Sequence, residues 1–384
     1  MMALRDRAGV YVHVPFCRSK CPYCGFFSLV PRPGEMARYL RALRAQLRRL
    51  AAEPAIRQLS FRTLFLGGGT PSILPVEALT ALADDCRRLF PWSSGELEWT
   101  IEVNPGTVDA RILCLLRRAG FNRLSLGVQS LHDRELRRIG RRHTAAAALQ
   151  AMAAARQAGF DNLSCDLMYG LPGQTAMDWR RSLELVLDRA PDHLSLYELT
   201  LEEGSPLTLK VARDEERLPP EENVLAMLEV TQECIDRSGL HRYEISNYAR
   251  PERRCLHNIN YWENGYYLGA GPGAAAFYGG ERRMAYADID RYCRLVEAER
   301  PVWERSESLE PEAAFRETVV MGLRMVEGVS VSMLRERFGI DPAVYYQDVL
   351  PSLVRRQLVR LEEDRLALTG QGLLLANQVM AALV

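Results

Sequence analysis

The alternation of short β-type runs with longer helical patterns constrains this chain more than any other feature. The runs are Val10–Val14 (VYVHV), Thr63–Leu66, Glu98–Val103, Arg123–Val128, Asn162–Met168 and His193–Leu199. Helix-type sequence follows each one: Glu35–Glu53, Val76–Phe90, Asp109–Ala119, stretches within Leu131–Ala158, Ala176–Arg189 and Glu221–Ser238. Six βα units in succession predict a parallel sheet with helices outside it. Glycines at Ala119-Gly120-Phe121 and Ala158-Gly159-Phe160 fall where helices should end. Periodicity alone leaves two architectures open, a doubly wound sheet and an incomplete barrel.

Beyond Gly239 the alternation stops. Arg242–Ala249 reads as one more strand, and the glycine-rich stretch Asn264–Gly280 reads as a tight loop or lid. Helical patterns at Pro311–Met325, Val331–Phe338 and Ala343–Arg356 precede Val359–Leu361, a polar turn and Leu366–Leu368, the order of a winged-helix unit. The expected organisation is therefore residues 1–240 as the βα body, 241–305 as an added strand and lid, and 306–384 as a small C-terminal unit.

Composition removes several function classes. At 47% hydrophobic and 26% charged residues the chain can bury a core, so it is neither disordered nor fibrous. Lys+Arg and Asp+Glu are both 49, so no global field exists to hold nucleic acid or an anionic membrane. The C-terminal segment mixes arginines with Glu362, Glu363 and Asp364, which argues for a scaffold or docking role over DNA reading. No apolar run approaches the roughly 18–20 residues that span a bilayer, although peripheral membrane contact stays open. The N-terminal MMALRDRAGV lacks the apolar region of a secretory signal, so a cytoplasmic location is expected. Nine cysteines, an odd number, make a disulfide framework a poor reading.

Three of those cysteines are clustered. Tyr11–Ser28 reads YVHVPFCRSKCPYCGFFS, with Cys17, Cys21 and Cys24 spaced C-x3-C-x2-C at the end of the first strand. Three thiolates can ligate three irons of a [4Fe–4S] cluster and leave the fourth open. A zinc site would need a fourth ligand, with His13 or Cys255 available. Other polar groups fall at strand ends, where barrel enzymes place their sites: the LGGGTP turn after the second strand, Glu102 after the third, Gln129 after the fourth, Arg141 on the following helix and Asp166 late in the fifth.

The C-x3-C-x2-C motif after a first strand resembles the radical S-adenosylmethionine (SAM) superfamily. That resemblance implies an α/β fold, a partial (β/α)6 barrel, here with a small C-terminal winged-helix-like helical domain. It also implies a [4Fe–4S] cluster on Cys17, Cys21 and Cys24 whose open iron is chelated by SAM. The motifs YVHVPFC, CPYCGFFS, GGGTP, EVNPGT, GVQS, DLMYGLPGQT, SLYELTLEEGSP, YEISNYA and HNINYW together resemble the oxygen-independent coproporphyrinogen III oxidase group, over about residues 10 to 280. The family's SAM contacts then fall on Tyr11, Gly67, Gly68, Gly69, Thr70, Glu102, Gln129, Arg141 and Asp166.

Within that group two branches differ. The oxidase, a dehydrogenase that decarboxylates two propionates, reads C-x3-C-x2-C-x-C and carries a long N-terminal extension. Here Phe26 occupies the position of the last thiol and only about ten residues precede the first strand. Both departures favour the HemW branch, which resembles a haem-binding chaperone that passes haem to haemoproteins such as respiratory enzymes. Gly25 pulls the other way, because that branch usually has aspartate there. The HNINYW motif, His257–Trp262, is the branch's second marker. It makes His257 the candidate axial haem ligand, with Tyr261 and Trp262 against the porphyrin. The acceptor haemoprotein and the electron donor are not written in the sequence.

Overall fold

The structure, a computed structural model, describes residues 7–384. The reading of the extreme N-terminus falls largely on residues outside that range. Six strands, β1 (Ala8–Val14), β2 (Phe61–Gly68), β3 (Glu98–Val103), β4 (Arg123–Gln129), β5 (Leu163–Tyr169) and β6 (His193–Glu198), pair in parallel and in chain order. The helices between them are α1 (Glu35–Ala52), α2 (Val76–Leu89), α3 (Ala110–Arg118), α4 (Asp133–Arg138), α5 (Ala145–Gln157) and α6 (Ala176–Leu187). Helices α7 (Pro206–Ala212) and α8 (Glu221–Asp236) follow β6. Asp109, Thr144 and Thr175 cap α3, α5 and α6 through their side chains, and Thr175 with Asp178 forms a full capping box. Gly120 and Gly159 have positive φ at the helix ends, as their positions in the sequence predict.

The sheet does not close on itself. On one side of β1 lie β9 (Tyr267–Ala270), β10 (Ala275–Tyr278), β11 (Glu281–Ala285) and β12 (Trp303–Ser308); beyond β6 lie β8 (Asn247–Ala249) and β7 (His241–Arg242). Residues from β1, β3, β5 and β6 line one cavity, so the parallel portion curls around it as an incomplete barrel. This α/β fold is the one the sequence implied. Two local expectations are corrected. Arg242–Ala249 is not one strand but two short antiparallel ones, separated by a bend at Ile245 and Ser246, while Glu244 bridges to Met325. The glycine-rich stretch is not a lid: β9 pairs in parallel with β1, and β10 returns antiparallel to it. Gly269 belongs there because a side chain would run into the carbonyl of Ala275. The division drawn at residue 240 thus runs through a single sheet, whose main core takes residues from Ala8 to Val302.

Between β8 and β9 sits the short helix α9 (Leu256–Trp262), and α10 (Ile289–Glu297) packs against α1. The C-terminal unit starts with α11 (Pro311–Gly322), then β13 (Val329–Ser330), α12 (Val331–Phe338) and two short helices over Pro342–Arg355. Strands β14 (Val359–Glu362) and β15 (Arg365–Leu368) complete a three-stranded antiparallel sheet with β13, and two further short helices end the chain. This unit has its own core around Phe315, Val319, Leu334 and Leu366. It is pinned to the body by backbone bonds from Ile245 N–H to Arg324 and from Val326 N–H to Tyr243. No helix among the described residues is long and apolar enough to cross a membrane.

Candidate cofactor site

The three clustered cysteines lie on a loop tied at its base. Cys17 N–H donates to Leu29 O at 2.9 Å, and Leu29 N–H donates to Pro15 O at 2.8 Å. The loop therefore leaves β1 and returns beside it, presenting Cys17, Cys21 and Cys24 to a cavity of about 610 Å³ at the C-terminal ends of the strands. All three thiols are half-buried and unpaired. Among the described residues no three His, Cys, Asp or Glu side chains converge as they would around a single ion. It is compatible with a cluster, in which each thiolate takes a different iron.

The glycine turn is built for close backbone approach. Gly69 N–H donates to Val14 O at 2.8 Å and Thr70 N–H to Phe16 O at 2.7 Å. A Cβ on Gly69 would lie 2.6 Å from Phe16 O; one on Gly68, at φ +107°, would lie 2.5 Å from the His13 ring. The glycines thus let the turn press against the end of β1, which aims the cysteine loop. Gly68, Gly69 and Thr70 line the cavity, whereas Gly67 stands behind it against Phe65 and Glu102.

A hydrogen-bonded chain links this turn to the cysteines. Thr70 Oγ1 is 3.5 Å from Cys17 Sγ and accepts from Asn104 Nδ2 at 2.8 Å. Arg141 donates to Asn104 Oδ1 at 2.5 Å, to Gly127 O at 2.8 Å and to Cys21 Sγ at 3.9 Å. Arg141 was expected on a helix; it occupies the connection between α4 and α5, where a bend lets it reach back over the strand ends. Gln129 ends β4 at φ +67° and lines the same cavity.

Deeper in, Glu102 accepts from Gly68 N–H at 3.1 Å. Its carboxyl is pushed up to about 8, first by burial and then by the charge of Asp166. Burial also raises Asp166, which accepts from Ser125 Oγ at 3.2 Å. Two half-buried acids at the wall of one cavity suit a cationic ligand, and SAM brings a sulfonium and an ammonium. Arg123 from β4 lies fully buried at the cavity floor with its Nε unpartnered. Tyr11, Asn104, Arg123, Ser125 and Tyr197 share this wall. Sequence reading missed all but Tyr11, although Asn104 stands inside the EVNPGT motif and was findable there.

Tyr11 OH is 3.0 Å from His13 Nδ1, whose Nε2 is 2.8 Å from Phe27 O. His13 is therefore occupied in bracing the loop. Phe26 is 68% exposed at the cavity mouth, where the oxidase-type motif would place a fourth thiol. Gly25 has the Glu202 side chain lying across it, 2.8 Å from where a Cβ would stand.

The HNINYW segment forms α9. Its first backbone N–H groups, of Leu256 and His257, donate to the buried Glu98 at 2.9 and 3.1 Å. His257 lines the cavity, but it is 1% exposed and both ring nitrogens are engaged, Nδ1 with Thr63 Oγ1 at 2.7 Å and Nε2 with Tyr261 OH at 2.9 Å. As placed, it presents no free nitrogen to an iron. The expectation that Tyr261 and Trp262 share one face is also corrected. Tyr261 lines the main cavity, and Trp262 lines a second one on the other side of the helix.

Comparison with known proteins agrees with this geometry. Residues 11–186 match the radical SAM superfamily and residues 309–375 match the HemN C-terminal domain. A heme chaperone HemW of Bacillus subtilis is 34% identical over 97% of this chain and 98% of its own length. A HemW of Mycobacterium tuberculosis is 34% identical over 98% and 94%. The bovine mitochondrial radical S-adenosyl methionine domain-containing protein 1 is 33% identical over 97% and 83%. The solved structure of coproporphyrinogen III oxidase (HemN) from Escherichia coli, a radical SAM enzyme, covers all of this chain and 92% of its own, with a TM-score of 0.85 and 25% identity. The cysteine loop, the glycine turn, the HNINYW helix and the full-length relatives together place the chain in the HemW branch of the HemN-like radical SAM proteins.

Proposed function

We propose that this chain is a haem chaperone that holds a [4Fe–4S] cluster and SAM and transfers haem to acceptor haemoproteins, respiratory enzymes among them. Full-length identity to proteins named heme chaperone carries the reading. Cys17, Cys21 and Cys24 would hold the cluster. Gly68, Gly69, Thr70, Glu102, Gln129, Arg141 and Asp166, with Tyr11 beside them, would hold SAM, and Gly67 would support them from behind. When bound, the pair supplies one-electron chemistry. The residues of this chain orient the ligands and exclude water: Arg141 and Thr70 place donors beside two thiols, and Glu102 offers a half-buried acceptor. A reducing compartment, the cytoplasm, suits three thiolate ligands and six further unpaired cysteines.

A coproporphyrinogen III dehydrogenase is the second reading, favoured by the likeness to HemN over the whole chain. Phe26 weighs against it, since the bulky exposed ring stands where that motif has a thiol. Anaerobic reconstitution, haem titration and a coproporphyrinogen assay in parallel separate the two. Stoichiometric haem binding, transfer to an apo-haemoprotein and no decarboxylation are expected. Protoporphyrinogen formation would replace this reading with the oxidase.

A further inference from the structure

The floor of the main cavity holds a cation that nothing binds. Glu102, Arg123, Ser125 and Asp166 line that cavity, and strand alternation puts Glu98 and Thr100 on the same face of β3 as Glu102. Register sets Thr100 beside Arg123 and Glu102 beside Ser125. Arg123 therefore stands between Glu98, toward the start of β3, and the acids Glu102 and Asp166, toward the strand ends. It is 2% exposed, its Nε has no partner, and among the described residues its guanidinium makes no hydrogen bond and no ion pair. A buried arginine is normally paired, because an unpaired charge out of water costs several kcal/mol. Here Glu98 and Asp166 face it without bonding to it, and Glu102 feels its charge in turn.

These acids belong to two different structures. Glu98 accepts from the N–H groups of Leu256 and His257 and from the Cys255 thiol, and so fixes the start of α9. Glu102 and Asp166 belong to the wall assigned to SAM. The other titratable groups at the floor carry no charge. His193 and His257 are neutral, lowered first by burial and then by the guanidinium. Tyr243 and Cys255 keep their protons, raised by burial. Arg141 also acts on Asp166, but from the rim. At the floor, one cation thus faces acids of two sites, and its pull is divided between them.

We propose that Arg123 is a positioning residue, the shared counter-charge of the SAM wall and of α9, and that it couples the two. The coupling has a definite sign. A cationic ligand on Glu102 and Asp166 takes up their charge and repels the guanidinium, which then acts on Glu98 and tightens α9; the linkage is reciprocal. The proposal rests on the reading that this cavity holds SAM, and its test separates the two. The full-length reconstituted protein, Arg123→Met, Arg123→Lys and Glu98→Gln are compared by SAM calorimetry across pH and by amide exchange of the Leu256–Trp262 segment with and without SAM. Circular dichroism and cluster absorbance verify each fold. In Arg123→Met the pH midpoint of SAM affinity should rise by about one unit, because the acids lose a nearby opposite charge. Exchange of α9 should become fast and indifferent to SAM. Arg123→Lys keeps the charge, so its midpoint should stay near that of the wild type and SAM should still slow exchange. Glu98→Gln leaves the guanidinium to the upper acids alone, so its midpoint should move down; this variant carries the test if Arg123→Met does not fold. Weaker binding at every pH with the midpoint in place, in both Arg123→Met and Glu98→Gln, would overturn the proposal, as would SAM protection of α9 that persists in them. No SAM binding by the wild-type chain at any pH would instead remove the SAM reading itself.

Discussion

The hydroxyl of Tyr261 lies 2.9 Å from Nε2 of His257, one helical turn earlier on α9, and Thr63 holds the other ring nitrogen. Burial pushes this imidazole down to about 3, so it is neutral at any working pH. An iron could take Nε2 only by displacing Tyr261. We expect His257→Ala to leave the Soret band in place and to lower stability by about 1–3 kcal/mol through the orphaned Thr63 and Tyr261 groups. Loss of the haem spectrum in His257→Ala, with Tyr261→Phe unaffected, would make His257 the ligand after all.

Removing any one of Cys17, Cys21 or Cys24 should abolish the cluster, because the loop offers three thiols and Phe26 adds none. Iron content after anaerobic reconstitution tests this. A zinc site would instead appear as about one tightly held zinc per chain that survives iron chelation.

Glu102 should make SAM affinity depend on pH. Its carboxyl titrates at about 8 in the ligand-free cavity. A cationic ligand favours the ionised form, so calorimetric affinity should rise with pH through that region. Glu102→Gln should flatten the profile and cost about 1.5–3 kcal/mol at high pH.

The same group sets a stability trend of opposite sign. A carboxyl raised on folding binds its proton more tightly in the native state, so stability falls as pH rises from the unfolded value near 4.5 to about 8. Asp166 is raised too and adds to the fall. Denaturant midpoints of the ligand-free protein should decline across this window, and less steeply in Glu102→Gln.

Alanine at two glycines should separate sterics from backbone strain. Gly69→Ala pushes a methyl to 2.6 Å from Phe16 O, a backbone atom, and should cost about 1–3 kcal/mol and most of the cluster occupancy. Gly106→Ala meets nothing within 4 Å and bears only the strain of its positive φ, about 1–2 kcal/mol. Its cluster should load normally.

Much of this was legible in the residues. The six βα units, the cysteine loop and the strand-end carboxylates follow from local patterns: apolar period, capping residues and motif spacing. The glycine-rich stretch was misread because Gly269 and its neighbours are selected by close strand packing, a tertiary demand that looks like loop composition in one dimension. Arg123 was invisible as a site residue since it sits within a buried strand, where an arginine has no periodic signature. The two faces of α9 were misassigned for another reason. Adjacent helix positions point about 100° apart, so Tyr261 and Trp262 look onto different cavities.

The pairing of β9 with β1 has a consequence for how the protein is made. The strand that leads into the cysteine loop is synthesised before the rest of the sheet, yet one of its two edges stays unpaired until residues beyond Tyr267 have been translated. At about 5–20 residues per second that interval lasts roughly ten to fifty seconds. During it the nascent chain exposes both a raw strand edge and three reactive thiols. The strand that aims the cysteine loop thus gains its second partner only after more than half of the chain has been made.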